Sequence, residues 1–214
     1  MSDTLQSLQK ALHEKGLEVV GFFYPDQADN LSVEIKTILL IGPEEPRFWH
    51  VFKNSKEYGD KIENPLDRWS KKTIELIARE FKARSFFPFE APFQPFISWA
   101  KKCDTMGSSP VGLLVHEKKG LFISFRGALG INEYIKRPTP SKDICTSCLK
   151  PCLTACPIEA LTSNGYDVGR CRSYLQTTEG KDCKEGCLVR RSCPIGSQYR
   201  LKDQSSFHMS SFLE

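Results

Sequence analysis

The chain has 214 residues, is 40% hydrophobic and carries a net charge of +4. It is long enough to bury a core without covalent staples, and its scattered Lys and Arg form no basic stripe of the kind that marks a nucleic-acid binder. No stretch approaches the roughly 18 to 20 consecutive apolar residues of a membrane span, and no apolar run follows the opening MSDTLQSLQKALHEKG, so neither secretion nor insertion is expected. The expected compartment is therefore the cytoplasm, where nine cysteines are metal ligands or catalytic thiols rather than disulfides.

In chain order, Leu5, Leu8 and Leu12 recur at helical spacing and the pattern stops at Gly16, which predicts an amino-terminal helix with a left-handed end. LEVVGFFY and EIKTILLIG read as strands, the second buried on both faces. Asn64-Pro65 opens a helix whose Leu66, Trp69, Thr73, Ile77 and Phe81 share one face. The aromatic run SFFPFEAPFQPFISW reads as core in preference to a pocket for a flat cofactor. Cys103, just after it and far from any other cysteine, reads as a buried inert thiol. VGLLVHEKKGLFISFRGAL predicts a hairpin, two apolar runs joined at a polar turn containing Gly120.

Two residues of this hairpin are candidate cofactor contacts. His116 stands beside the turn, where a solvated histidine is the commoner outcome. Arg126 puts a guanidinium inside LFISFRGAL, so it must find a partner: either a ligand phosphate or carboxylate, or a structural ion pair. No phosphate loop, zinc-binding His-Glu pair or Ser or Cys nucleophile motif is present.

RPTPSKD, from Arg137 onward, reads as a linker. It divides the chain into a mixed domain over 1–137 and a cysteine-rich domain over 138–214. The second domain carries Cys145-x2-Cys148-x3-Cys152-x3-Cys156-Pro157, then Cys171, then Cys183-x3-Cys187-x5-Cys193-Pro194. Three thiolates on one tight loop can reach three irons of a single cube, and the fourth ligand comes from the Cys-Pro of the other run. Crossing the two Cys-Pro positions gives one set of Cys145, Cys148, Cys152 and Cys193, and a second of Cys156, Cys171, Cys183 and Cys187. Two [4Fe-4S] clusters are thus expected, with a short helix from Pro157 packing Ile158 and Leu161 against them. The gap from Cys148 to Cys152 is one residue wider than in the bacterial ferredoxin run, and the Cys183 to Cys193 segment is looser still. Four-cysteine structural zinc is the competing metal, although its ligands come as separated Cys-x2-Cys pairs rather than as one run.

CTSCLKPCLTACP, GRCRSYLQTTEG and CKEGCLVRRSCP together resemble the ferredoxin-like tail of epoxyqueuosine reductases and of corrinoid-dependent reductive dehalogenases. The order is a four-cysteine run, a lone cysteine before Ser-Tyr-Leu, and three cysteines closing in Cys-Pro, which implies the same ligand sets and makes Cys171 the ligand that simple ferredoxins lack. NPLDRW and VGLLVHEKKGLFISFRGALG are similar to the cobalamin-processing CblC family, of flavin-dependent nitroreductase architecture, in which an arginine corresponding to Arg126 lies at the thiol-ligand site. Nothing matches the catalytic acid of epoxyqueuosine reductase in its context. The resemblances imply an α+β chain, a nitroreductase- or CblC-like domain followed by a small irregular dicluster domain. They imply an iron-sulfur redox protein, an oxidoreductase linked to cobalamin, that passes electrons from a donor protein or reductant to a corrinoid, with FMN as the alternative cofactor. The basic residues Lys142, Lys150, Arg170, Arg172, Lys184, Arg190 and Arg191 are placed to dock an acidic donor or to raise cluster potentials. Two rivals remain: a plain ferredoxin-type carrier whose first domain docks a partner enzyme, and a zinc-stabilised binding module.

Overall fold

The computed structural model describes residues 3–136, 144–199 and 201–213. The predicted linker, Arg137 to Lys142, lies outside the described residues. The amino-terminal leucines form α1 (Asp3–Glu14), with Leu5, Leu8 and Leu12 buried on one side. The chain then turns at Gly16 into β1 (Leu17–Phe23), which pairs antiparallel with β2 (Thr37–Pro43) through a register shift between Val19 and Gly21. Every residue of β2 is buried, as its unbroken apolar run demands.

Two short helices follow, α2 (Arg47–Lys53) and α3 (Lys56–Gly59), and then the long α4 (Pro65–Glu80). Asn64 takes the left-handed conformation and Pro65 occupies the first helical turn, so α4 begins where the sequence predicted. Its buried face is Leu66, Trp69, Ser70, Thr73, Ile74, Ile77 and Ala78, and it packs on β3 (Arg84–Phe86) and the central sheet. α5 (Phe96–Lys101) carries Trp99, fully buried against Phe23, Phe86 and Phe96 with ring centroids 5.8, 5.6 and 5.2 Å away. The aromatic run is core, as read from sequence, although Phe93 is exposed. Cys103 is buried too, and its thiol donates to the Trp99 carbonyl oxygen at 3.5 Å.

The predicted hairpin does not form. β4 (Met106–Ser108) pairs with β5 (Leu114–His116), whereas the second apolar run continues to β6 (Gly127–Ile131), which inserts between β2 and β3. His116 and Gly120 make one antiparallel bridge at the turn, and there the two runs part. The larger sheet, in the order β1-β2-β6-β3 among the described residues, is antiparallel throughout. Periodicity could not reveal this parting, because β6 needs two partner strands more than it needs its sequence neighbour.

Two compact units result: Met1–Thr105 with Ser124–Pro140, and Met106–Ile123 with Ser141–Glu214. Residues 106–123, which the sequence reading assigned to the first domain, belong by their contacts to the cysteine-bearing unit. The reason is apolar burial, since Val111, Val115 and Leu121 share one core with Cys152, Leu161, Val189 and Cys193. The rest of this unit is short and irregular: β7 (Leu161–Thr162) and β8 (Gly165–Tyr166) as a minimal hairpin, then α6 (Val168–Leu175), α7 (Lys181–Lys184), α8 (Leu188–Ser192) and α9 (Lys202–Leu213). The short helix expected from Pro157 is absent. The segment instead turns through Glu159 at φ 54° into β7 and reverses over Ser163-Asn164 into Gly165, whose φ of 133° suits glycine. α9 folds onto the unit, with Lys202 paired to Glu185 at 2.8 Å. The α+β class holds, and no described helix is long and apolar enough to cross a membrane.

Candidate metal centre

Local structure brings the first run together. The amide of Cys148 donates to the Cys145 carbonyl at 3.3 Å, and Cys152 sits in a short 3-10 turn over Pro151–Leu153. The residue by which this gap exceeds the ferredoxin spacing is absorbed outward. Leu149 and Lys150 are exposed, Lys150 has a φ of 56°, and its amide turns back to donate to Cys148 Sγ at 3.3 Å. Cys171 is carried on α6, whose first turn is capped by the Asp167 carboxylate accepting from Arg170 N at 2.9 Å. Cys183 is on α7, Cys187 caps α8 and Cys193 ends it.

The cysteines sort into two neighbourhoods. Cys152 lies within the field of Cys148 and Cys193, and Cys145, Cys156 and Cys187 all pack against the apolar core that holds Cys152 and Cys193. Cys183 lies within the field of Cys187, Cys156 and Cys171, and Cys171 within that of Cys187 and Cys156. Cys193 beside Cys152, and Cys156 beside Cys171 and Cys183, are the proximities that crossed Cys-Pro ligands require. Burial, followed by the charge of neighbouring thiols, pushes the Cys152 and Cys183 thiols above their ordinary range. Burial does the same to Cys171, opposed by a hydrogen bond from Tyr166. A thiolate without a countercharge is thus costly in both neighbourhoods, and a bound cationic metal would relieve that cost. All-thiol donor sets suit soft metals, iron-sulfur clusters among them. Among the described residues, no three His, Cys, Asp or Glu side chains converge tightly enough to hold a single metal ion.

Donors to sulfur accompany both sets. Ala160 N donates to Cys156 Sγ at 3.2 Å, and the Leu188 amide donates to Cys183. The Tyr166 hydroxyl, its ionisation strongly suppressed by burial first and by Cys171 second, donates to Cys171. Tyr166 escaped the sequence reading because its only signal was a place just after an Asn-Gly turn.

Of the two residues proposed as cofactor contacts, Arg126 makes an ion pair. Its Nη1 is 3.3 Å from Asp67 Oδ1, its Nε donates to the Phe125 carbonyl at 2.9 Å, and its side chain is 14% exposed. Burial pulls the guanidinium below its ordinary range against the attraction of Asp67, while burial raises the Asp67 carboxyl despite Arg126. His116 is not the solvated turn residue expected. It is buried, and its Nδ1 accepts from the amides of Lys118 and Lys119 at 3.0 and 3.2 Å. Arg126 belongs to the first unit and His116 to the cysteine-bearing unit. Among the basic residues, Arg190 donates to the Leu121 carbonyl at 2.9 Å and Arg191 to the Asp182 carbonyl at 3.3 Å. Lys150, Arg170 and Arg172 are exposed, Lys184 is half-buried, and Lys142 lies outside the described residues.

No family model matches the chain. A curated relative is an epoxyqueuosine reductase of Leadbetterella byssophila, 31% identical over 163 residues, a match covering 72% of this chain and 51% of the relative. The chain thus spans about half the length of the curated relative it matches. An alignment of 163 residues is longer than the 145–194 segment whose motifs suggested that resemblance, so the likeness extends beyond the cysteines.

Proposed function

We propose that this chain is an iron-sulfur redox protein. Cys145, Cys148, Cys152 and Cys193 hold one [4Fe-4S] cluster, and Cys156, Cys171, Cys183 and Cys187 hold a second. The observation that carries the reading is the crossing. Cys193 closes the second run yet neighbours Cys152, and Cys156 closes the first run yet neighbours Cys171 and Cys183. The reductase name of the relative is in keeping with redox work.

A four-iron cube accepts and returns one electron at a time. The chain's own part is to fix the thiols, to exclude water through Val111, Val115, Leu121, Leu161 and Val189, and to aim N–H and O–H donors at the sulfurs. Such donors favour the more negative, reduced state and so raise the potential. Arg190 and Arg191, half-buried beside Cys193 in sequence, and the exposed Lys150, Arg170 and Arg172 present positive charge to an acidic donor protein. The electron acceptor in this proposal is a corrinoid, or FMN as the alternative, held by the first unit with Arg126. Its support is the sequence likeness to the CblC family.

The test is anaerobic metal analysis with absorption and electron paramagnetic resonance spectra. About eight irons per chain and two distinguishable reduced signals are expected. Zinc in place of iron would establish the binding module. Iron without any spectral change of added cob(III)alamin under reductant, and without bound flavin, would establish the plain carrier.

A further inference from the structure

We propose that the turn His116–Gly120, contributed by a segment distant in sequence from every ligand cysteine, is a positioning element for Cys193 and controls the metal site that this thiol completes. The proposal rests on the dicluster reading above. Gly120 lies against the ligand itself: at φ 56°, a Cβ built on it would stand 2.8 Å from Cys193 Sγ and 2.3 Å from the Ile195 carbonyl oxygen. Gly196 returns the contact, since its own Cβ would stand 2.6 Å from the Lys119 carbonyl oxygen. Backbone therefore packs on backbone over Sγ, at a separation only glycine permits.

The turn is built to hold that position. His116 N donates to Gly120 O at 3.0 Å and Gly120 N returns a bond to His116 O at 2.9 Å. The buried imidazole accepts from two further turn amides through Nδ1. Lys119, 4% exposed, stands with its ammonium 5.0 Å from the centre of the Tyr199 ring, and Arg190 ties the next residue, Leu121, to the helix that ends in Cys193. The comparable contacts of the other set, from Ala160 and Tyr166, come from the cysteine-rich tail itself. Among the described residues, the close backbone contact from before the linker is thus made to Cys193, while the apolar residues of that segment, Val111, Val115 and Leu121, pack near thiols of both sets.

The experiment uses the full chain, purified without oxygen, with Cys193→Ala marking which resonance belongs to the Cys193 site. Gly120→Ala should lower iron from about eight to about four per chain and remove the resonance that Cys193→Ala removes, leaving the other unchanged. His116→Ala should shift the potential or line shape of that same resonance. His116→Asn, whose Oδ1 accepts from the amide two residues on as in an Asx turn, should restore it. Wild-type iron, line shape and potential in both Gly120→Ala and His116→Ala would overturn the proposal, as would effects confined to the other resonance. Should Gly120→Ala fail to fold, the His116 pair decides, because an alanine effect that asparagine does not rescue also counts against it. Wild-type protein without iron would overturn the dicluster reading and this proposal with it, whereas iron-replete wild type with unaffected variants overturns the role of the turn alone.

Discussion

Removing the Asp67 carboxylate should cost more stability than removing its partner Arg126. At 3.3 Å and an effective dielectric of about 20, the gross attraction is about 5 kcal/mol. Desolvation opposes it, and both groups are shifted in the direction that burial, not pairing, dictates. Asp67→Asn leaves the guanidinium, 14% exposed, without a countercharge. Arg126→Met fills similar volume and leaves a carboxylate that is 35% exposed and so reachable by water. Allowing for that exposure, Asp67→Asn should cost about 2 kcal/mol and Arg126→Met about 1 kcal/mol or less. Urea unfolding followed by tryptophan fluorescence suits the measurement, because Trp49, Trp69 and Trp99 are the chain's three tryptophans and all fall in the first unit. With a slope of about 2 kcal/mol per molar, the Asp67→Asn midpoint should fall by about 1 M. The Asp67 carboxyl, raised on folding, contributes stability that is present at low pH and lost as pH rises through its folded value, so wild-type stability should decline in that direction. A larger loss in Arg126→Met, or losses below about 0.5 kcal/mol in both, would refute the reasoning. Corrinoid titration of the same Arg126→Met protein separates the structural pair from a ligand clamp: if the pair is all there is, affinity for added cob(III)alamin is unchanged.

Cys171→Ala should reduce iron from about eight to about four atoms per chain and spare the resonance that Cys148→Ala abolishes, as metal analysis and paramagnetic resonance will show; full iron in Cys171→Ala contradicts the ligand sets. Tyr166→Phe, which deletes the hydroxyl donor to Cys171, should lower the potential of the Cys171 site in a redox titration and leave the other unmoved. Asp60, held below the ordinary carboxylate range by Arg68 first of all, contributes stability that is present above its unfolded value and lost as pH falls through the folded one. Asp60→Asn should therefore flatten the acid limb of the stability profile, and an unchanged limb counts against that ion pair. Leu39→Ala, at a fully buried position in β2, should cost about 2 to 5 kcal/mol in the same urea assay.

Much of the fold and the candidate site could be read residue by residue. Leu5, Leu8 and Leu12 marked α1, Asn64-Pro65 marked the start of α4, and the unbroken run in β2 announced burial on both faces, because each is a local rule of backbone geometry and periodicity. The proposed cysteine sets rest on a related rule. The reach of a short loop limits how many thiols it can bring to one place, so the Cys-Pro positions are expected to cross. The turn at Ser163-Asn164, followed by Gly165, was also written locally, although the helix expected from Pro157 obscured it.

The destination of the segment 106–131 was a tertiary decision. Two apolar runs around a Gly turn are compatible with a hairpin, yet β6 buries more by lying between β2 and β3, while Val111, Val115 and Leu121 gain burial beside Cys152 and Cys193. No local propensity distinguishes these outcomes, because the gain lies in surface removed from water by residues far away in the chain. For the same reason the sequence could require a partner for Arg126 without identifying Asp67, and could place His116 at a turn without showing that the turn is buried against Cys193. Spacing along the chain carries the proposal of which thiols act together, and packing between distant segments decided what surrounds them.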